Sequence, residues 1–150
     1  MTFRGTYEHA LDTKNRLTIP ARYREALKAG VVLAFSPDTG SGETRSLSIW
    51  RPDDHDAFAS AALADLNPLS SRAHDLRNFL YGRSWDLELD SANRLVIPPQ
   101  AREFASLDRD VVITGAGDHM ELWDRTVFAR YNSLALSRFS EITASFDNTD

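Results

Sequence analysis

The stretch LDTKNRLTIPARYREAL, which spans residues 11–27, returns as LDSANRLVIPPQAREFA at residues 89–105. The second copy is displaced by 78 residues, and nine of its seventeen positions are identical to the first. A repeat of this kind predicts a structural unit that cannot bury its own apolar face and therefore packs against a copy of itself. Because the identities are densest around a tight turn that holds an Asp and an Arg, this turn is the first candidate for a functional site.

The composition is typical of a globular protein in a reducing compartment. The 150 residues are 42% hydrophobic and 26% charged, which suits one ordinary domain or two small halves that share a core. The absence of Cys excludes disulfides, thiolate zinc sites and Cys nucleophiles. No apolar run approaches the roughly 20 residues that span a bilayer, and the first residues do not form a signal peptide. We therefore expect a cytoplasmic protein with no membrane partner.

Charge is distributed unequally between the two copies of the repeat. The chain has a formal net charge of −5, which argues against nonspecific binding of polyanions by the whole surface. Residues 1–28 contain six basic and three acidic side chains and carry +3, whereas residues 82–105 contain three basic and four acidic side chains and carry −1. The first copy is therefore predicted to hold a polyanion more strongly than the second.

Each copy shows the same order of secondary-structure signals. Alternating apolar residues before and after the turn predict a β-hairpin in each half, and the Pro that follows predicts one or two helical turns. A buried strand, a return strand ending in Trp, and an acidic helix start come next. This order predicts an α+β, mainly β fold: a pseudo-symmetric, β-barrel-like domain with peripheral helices.

The same signals divide the chain into two halves that form one compact domain. Residues 1–81 hold the first repeat and the linking helices. Residues 82–150 hold the second repeat, a carboxy-terminal helix and a short polar tail that we expect to fray from residue 140.

The turn itself, DTKN in the first copy and DSAN in the second, has the chemistry of a tight connection. Asn15 and Asn93 stand where such a turn needs a positive φ, which Asn tolerates best after Gly. The carboxylates of Asp12 and Asp90 can accept backbone N–H groups and hold the loop in one shape. The Arg that follows is then presented at the base of the hairpin.

Two segments of the chain resemble the two halves of the MraZ family of bacterial transcriptional regulators: MTFRGTYEHALDTKNRLTIPARYREAL at residues 1–27 and YGRSWDLELDSANRLVIPPQAREFA at residues 81–105. The resemblance extends over roughly residues 1–139, and its signature is Asp-x-x-x-Arg in both halves at this spacing. It implies two AbrB-like (SpoVT–AbrB) swapped-hairpin units that build a β-barrel in one chain. The family usually has Gly where this chain has Asn15 and Asn93, and the Asn amide can either contact DNA or shield it.

The resemblance also implies a function. It suggests a ring-shaped homo-oligomer that binds double-stranded DNA and associates with the nucleoid. The expected target is a set of short direct repeats in the promoter of the division and cell-wall gene cluster. The resemblance places the DNA-contacting loops at residues 12–16 and 90–94.

Within these loops the Arg and Asp side chains are expected to have different roles. Arg16 and Arg94 are suited to reading guanine edges or clamping phosphate, because the guanidinium is a planar fork of donors. The alternative is that each Arg is structural and only pairs with the Asp of its own turn. Asp12 and Asp90 are expected to orient the loop and its Arg, since a carboxylate beside phosphates is repelled.

Other basic and amide side chains complete the predicted DNA-binding set. Lys14 is suited to contact phosphate, and its counterpart Ala92 is not. Arg4 and Arg83 are candidates for further backbone contacts, for which an ordinary solvated charge is the alternative. The predicted DNA-binding residues are Arg16, Lys14, Asn15, Arg94, Asn93, Arg4 and Arg83.

The sequence shows no pattern typical of an enzyme. Its four His residues lack metal-ligand spacing, and no Ser–His–Asp arrangement is supported, so we predict no catalytic residue, metal, cofactor or small-molecule substrate. One alternative is an AbrB-like antitoxin that binds its own promoter and a toxin protein; such antitoxins tend to be one short unit with a disordered tail. The other is a small hydrolase that uses the Asp–Arg pairs, which would need a nucleophile or base that the spacing does not reveal.

Overall fold

Strands dominate each repeat, and helices follow them. The computed structural model describes residues 1–37 and 43–147, and in these ranges the chain forms eight strands, one short 3₁₀ helix and four α-helices. The strands are β1 Thr6–Ala10, β2 Arg16–Thr18, β3 Val31–Phe35, β4 Leu47–Trp50, β5 Ser84–Leu87, β6 Arg94–Val96, β7 Asp110–Gly115 and β8 His119–Asp124. The helices are the 3₁₀ helix Ala21–Tyr23, α1 Pro52–Leu63, α2 Ser71–Leu80, α3 Pro99–Phe104 and α4 Arg125–Asp147.

The two repeats contribute strands to one antiparallel sheet. Six strands lie in the order β1-β7-β8-β4-β3-β5, and β2 and β6 form a separate two-stranded ribbon. The first strand of each repeat pairs with the third strand of the other, β1 with β7 and β5 with β3. The two fourth strands, β4 and β8, pair at the centre of the sheet. Strand exchange between the halves therefore gives the pseudo-symmetry that the repeat predicted.

The predicted hairpin within each half needs one correction, which concerns the pairing partner. The chain turns back sharply after β1, but β1 pairs with β7 and β2 pairs with β6. The physical reason lies in the apolar residues of the ribbon. Leu17 and Leu95 stand opposite each other in the β2–β6 pair, and both are fully buried. Pairing across the repeats brings both leucines into one core, as the swapped hairpins of the resemblance implied.

The α+β class and the two-repeat organisation are confirmed, and the sheet does not close into a barrel. The sheet has β1 and β5 as its two edges, so the strands in the described ranges stay open. The ribbon of β2 and β6 lies over one face, where its apolar side chains share a core cluster with Leu33, Ile49 and Ile113 of the sheet. Covering the sheet with a short ribbon buries this face without joining the edges.

Helices cover the other face of the sheet. Trp50 packs against Phe58 of α1, and Trp123 packs against Val127 and Tyr131 of α4. Residues 140–147 of the tail that was expected to fray continue α4 as helix to Asp147, and the last three residues of that expectation lie outside the described ranges. In the described part of the chain, no helix combines the length and hydropathy required to span a membrane.

Candidate nucleic-acid interface

Residues 12–16 form a tight turn that the side chain of Asp12 closes. Its Oδ1 accepts hydrogen bonds from the backbone N–H groups of Lys14 and Arg16, both at 2.9 Å. Asn15 has a φ of 57°, and its backbone N–H donates to the carbonyl oxygen of Asp12 at 2.9 Å. The positive φ and the carboxylate acceptor were both predicted from residue type, and both are confirmed.

Residues 90–94 form the same turn in the second repeat. Asp90 Oδ1 accepts from the backbone N–H groups of Ala92 and Arg94 at 2.9 Å each. Asn93 has a φ of 60°, and its N–H donates to the Asp90 carbonyl oxygen at 3.0 Å. The change from Lys to Ala at the third position therefore leaves the backbone of the turn unaltered.

Each turn holds its Arg by one atom of the guanidinium. Arg16 Nε donates to Asp12 Oδ2 at 2.6 Å, and Arg94 Nε donates to Asp90 Oδ2 at 2.8 Å. Within residues 1–37 and 43–147, no protein acceptor is bonded to the Nη1 or Nη2 atoms of either Arg. The Asp–Arg pair and a DNA-contacting Arg are therefore compatible. The Asp fixes the inner edge of the fork and leaves its outer donors for a ligand.

The electrostatics of the turns keep both carboxylates ionised. The backbone N–H of Arg16, its guanidinium and the backbone N–H of Lys14 together lower the pKa of Asp12 below its ordinary value. The equivalent groups of the second turn lower the pKa of Asp90 in the same way. An ionised Asp is a stronger acceptor than a neutral one, so the orientation of each Arg is maintained at neutral pH.

The β2–β6 ribbon joins the two turns into one structure. In its register Arg16 stands opposite Val96, and Thr18 stands opposite Arg94. The ladder continues at both ends, because Ile19 donates its N–H to the Asn93 carbonyl oxygen and Ile97 donates to that of Asn15, each at 3.0 Å. One turn therefore lies at each end of the ribbon, instead of forming an isolated hairpin tip.

Alternation along the ribbon separates an inner face from an outer face. Leu17 and Leu95 are fully buried, so the residues on either side of them point away from the core. The outward residues are Arg16, Thr18, Arg94 and Val96. Arg16 and Arg94 are diagonal neighbours on this face, which places their Cα atoms about 7–8 Å apart. We call this outer face, together with residues 12–15 and 90–93, the ribbon surface.

The remaining predicted site residues fall into two groups. Lys14, Asn15 and Asn93 belong to the ribbon surface. Arg4 and Arg83 do not: they precede β1 and β5, whereas the turns follow those strands. Arg4 is held by the hydroxyl of Tyr23, which donates to its carbonyl oxygen at 2.7 Å. The five residues of β1 span about 17 Å at about 3.3 Å a residue, so Arg4 and Asp12 lie beyond opposite ends of that strand.

Sequence reasoning missed two members of the ribbon surface, Thr18 and Val96. Val96 is 56% exposed. The available signal was the alternation around Leu17 and Leu95, which already assigns the neighbouring positions to the opposite face. In the described ranges, no group of three or more His, Asp or Glu side chains is placed to hold a metal ion.

Comparison with known proteins gives a consistent result over nearly the whole chain. The model of the MraZ protein family, which is also described as antitoxin-like, matches twice, at residues 2–79 and 80–148. A protein of Thiobacillus denitrificans named transcriptional regulator MraZ is 38% identical over 146 residues, which cover 95% of this chain and 95% of that protein. A protein of the same name from Mycoplasmoides gallisepticum is 34% identical, and the match covers 97% of this chain and 98% of that protein. Another, from Heliobacterium modesticaldum, is 31% identical, and the match covers 99% of both chains.

Proposed function

The chain belongs to the MraZ family and is a transcriptional regulator, and we propose that it acts by binding double-stranded DNA with the ribbon surface. The observation that carries this proposal is the pair of Asp-oriented arginines, Arg16 and Arg94, which share one outward face. Guanidinium groups that are held on their inner edge and open on their outer edge are suited to guanine edges or phosphates.

The shape of the ribbon supports binding in the major groove. That groove is about 12 Å wide and admits a two-stranded β-ribbon, as in known ribbon-type DNA readers. Arg16 and Arg94 begin β2 and β6, one on each side of the central Leu17–Leu95 pair, and would reach the base edges. Lys14 and Asn15 sit at one end and Asn93 at the other, where the ribbon would meet the phosphate backbone. Arg4 and Arg83 would meet DNA only where it passes the far end of β1 or β5.

The charge of the chain supports binding by several copies together. A body with a net charge of −5 repels a polyanion, so a single chain would bind weakly. A ring-shaped homo-oligomer raises the effective concentration of each ribbon for the next DNA repeat. We therefore propose short direct repeats as the target, in the promoter of the division and cell-wall gene cluster. Such a regulator would be cytoplasmic and associated with the nucleoid.

We also propose that residues 1–81 and 82–150 fold as one domain. The sheet supports this reading, because each half places its first strand beside the third strand of the other. A half expressed alone would lose those partners and leave the apolar face of its ribbon strand uncovered.

The hydrolase alternative receives no support from the turns. Both carboxylate oxygens of Asp12 are already engaged, Oδ1 by two backbone N–H groups and Oδ2 by Arg16. A carboxylate bound in this way and held ionised is a poor proton carrier. The antitoxin alternative is favoured only by the description of the family. Antitoxins of that type tend to have a disordered tail, whereas in the described residues α4 runs as helix to Asp147.

The test is a footprint on the DNA upstream of the protein's own gene. We expect protected direct repeats at regular spacing, and protection that weakens steeply as salt rises, because phosphate contacts release counterions. The double variant Arg16→Ala/Arg94→Ala, checked for folding by circular dichroism, should give no protection. A variant footprint equal to that of the wild type would contradict the role of the ribbon surface, and an unprotected fragment with the wild type would contradict DNA binding at this promoter.

A further inference from the structure

We infer that Val96 is a specificity residue that contacts the C5-methyl group of a thymine in the bound DNA; this inference rests on the proposed function. Val96 is 56% exposed and lies on the ribbon surface, with Arg16 directly opposite. Residues paired in this way have Cβ atoms about 4.5–5.5 Å apart. An apolar side chain therefore lies beside Arg16 and Arg94, the two side chains that are proposed to contact the bases.

The spacing along β6 suits base pairs that are two steps apart. Arg94 and Val96 are two residues apart on one strand, a distance of about 6.6 Å. Stacked bases are about 3.4 Å apart along each strand, so the two side chains would address base pairs about two steps apart. An Arg bound to a guanine would thus place Val96 against a nearby base edge.

The chemistry of that edge identifies the ligand. In the major groove the thymine C5-methyl group is the apolar feature of the base edges, whereas the other groups are hydrogen-bond donors or acceptors. Val96 can offer only methyl groups, so a thymine methyl is the group that it can bury. If Val96 instead covered a donor or an acceptor of another base, that group would lose its hydrogen-bond partner, so bases other than thymine are disfavoured at this position.

The pseudo-symmetric partner of Val96 is chemically different. The offset of 78 residues places Thr18 at the equivalent position, opposite Arg94. Thr has one methyl group and a hydroxyl that can bond to phosphate or to a base. The two ends of the ribbon therefore read unequal base edges, and a chain would sit on its site in one orientation. Binding in one orientation suits repeats that all run in the same direction.

The experiment combines base and protein changes in a double-mutant cycle. Each thymine of the footprinted repeat is replaced in turn by deoxyuridine, which lacks only the methyl group. Dissociation constants are then measured by fluorescence anisotropy for the wild type and for Val96→Ala. For the wild type we expect one replacement to weaken binding about fourfold, the effect of one buried methyl group. For Val96→Ala we expect the same replacement to have no effect.

Controls keep the inference separate from the proposed function. Leu69→Ala, at a leucine that is 93% exposed on a different part of the surface, should retain the full sensitivity to deoxyuridine. Thermal melting verifies that Val96→Ala is folded. The inference would be overturned, while DNA binding stands, if every deoxyuridine replacement weakened the wild type and Val96→Ala equally. It would also be overturned if no replacement weakened binding by the wild type. A wild type that fails to bind the repeat would instead overturn the proposed function.

Discussion

The two turns of this protein share one backbone and differ in the side chains that they present. In both, an Asp Oδ1 accepts two backbone N–H groups at 2.9 Å, and an Asn has a φ within a few degrees of 60°. The three residue types that make this geometry, Asp, Asn and Arg, are identical in the two copies. The geometry of the turn is therefore encoded by a few residues, and the remaining positions are free to change.

The positions that change are those that face outward. Lys14 is replaced by Ala92, and Thr18 by Val96, and all four belong to the ribbon surface. Neither exchange alters a hydrogen bond of the turn or of the ribbon. One scaffold therefore supports two different contact surfaces.

The largest effect is expected when an Arg is removed. Arg16→Ala should weaken specific DNA binding by about 1–3 kcal/mol without unfolding the protein, because it removes a guanidinium proposed to contact the bases. Arg94→Ala should weaken it less, since the second copy is less basic. Electrophoretic titration of both variants measures the difference. The control is Arg72→Ala, an exposed Arg of α2 outside the ribbon surface, which should bind like the wild type.

Equal losses for the two Arg variants would show that the charge difference between the repeats does not matter. An Arg16→Ala variant with wild-type affinity would contradict the role of that side chain altogether.

The next effect concerns stability and should be the same in both turns. Asn15→Ala and Asn93→Ala should each lower the free energy of unfolding by about 1 kcal/mol, because Ala is strained at a φ near 60°. Asn15→Gly is the matched control, and it should keep most of the stability because Gly adopts this φ freely. Urea titration gives the three values. If only one of the two Ala variants lowered the free energy of unfolding, the turns would be less alike than their geometry indicates.

A smaller effect should follow from exchanging the residues that differ. Lys14→Ala should reduce the slope of log K against log salt by about one, and Ala92→Lys should increase it by about one, if each Lys neutralises one phosphate. Both positions are exposed, so neither change should affect folding. Binding measured at several salt concentrations tests this. An unchanged slope for Ala92→Lys would place the second turn away from the DNA.

The smallest effect is expected in the acid stability of the two turns. The pKa of Asp12 and that of Asp90 are both lowered in the folded protein, so each carboxylate stabilises the fold above its unfolded pKa of about 3.9. This stabilisation is lost as the pH falls through the folded values. The melting temperature of the wild type should therefore fall more steeply below about pH 4 than that of Asp12→Asn/Asp90→Asn. If the melting temperatures of the two proteins fell equally with pH, the lowered pKa of Asp12 and Asp90 would be contradicted.

Local features of the candidate site could be predicted because short-range chemistry decides them. The positive φ of Asn15 and the N–H acceptors on Asp12 follow from residue type and spacing alone. The pairing of each Arg with its own Asp was the structural alternative, and it is present in both turns. What spacing did not show is that this pairing leaves the outer donors of the fork open.

Features that depend on distant parts of the chain were predicted less well. The basic residue Arg4 is close to the turn in sequence, but it lies at the opposite end of β1. The hairpin partner was misjudged for the same reason, since the choice between a neighbouring strand and the equivalent strand of the other repeat is a tertiary one. The alternation around Leu95 already assigns Val96 to an outer face, but the presence of Arg16 on that same face depends on the pairing of β2 with β6.

The sequence by itself determined that this chain contains two equivalent turns and that each is held by Asp, Asn and Arg. Only the tertiary structure decided that the turns lie at the two ends of one ribbon, with both arginines on the same outward face. The reason is physical. A turn is closed by hydrogen bonds over a few residues, whereas the position of a strand is decided by the burial of Leu17 and Leu95, which lie 78 residues apart in the chain.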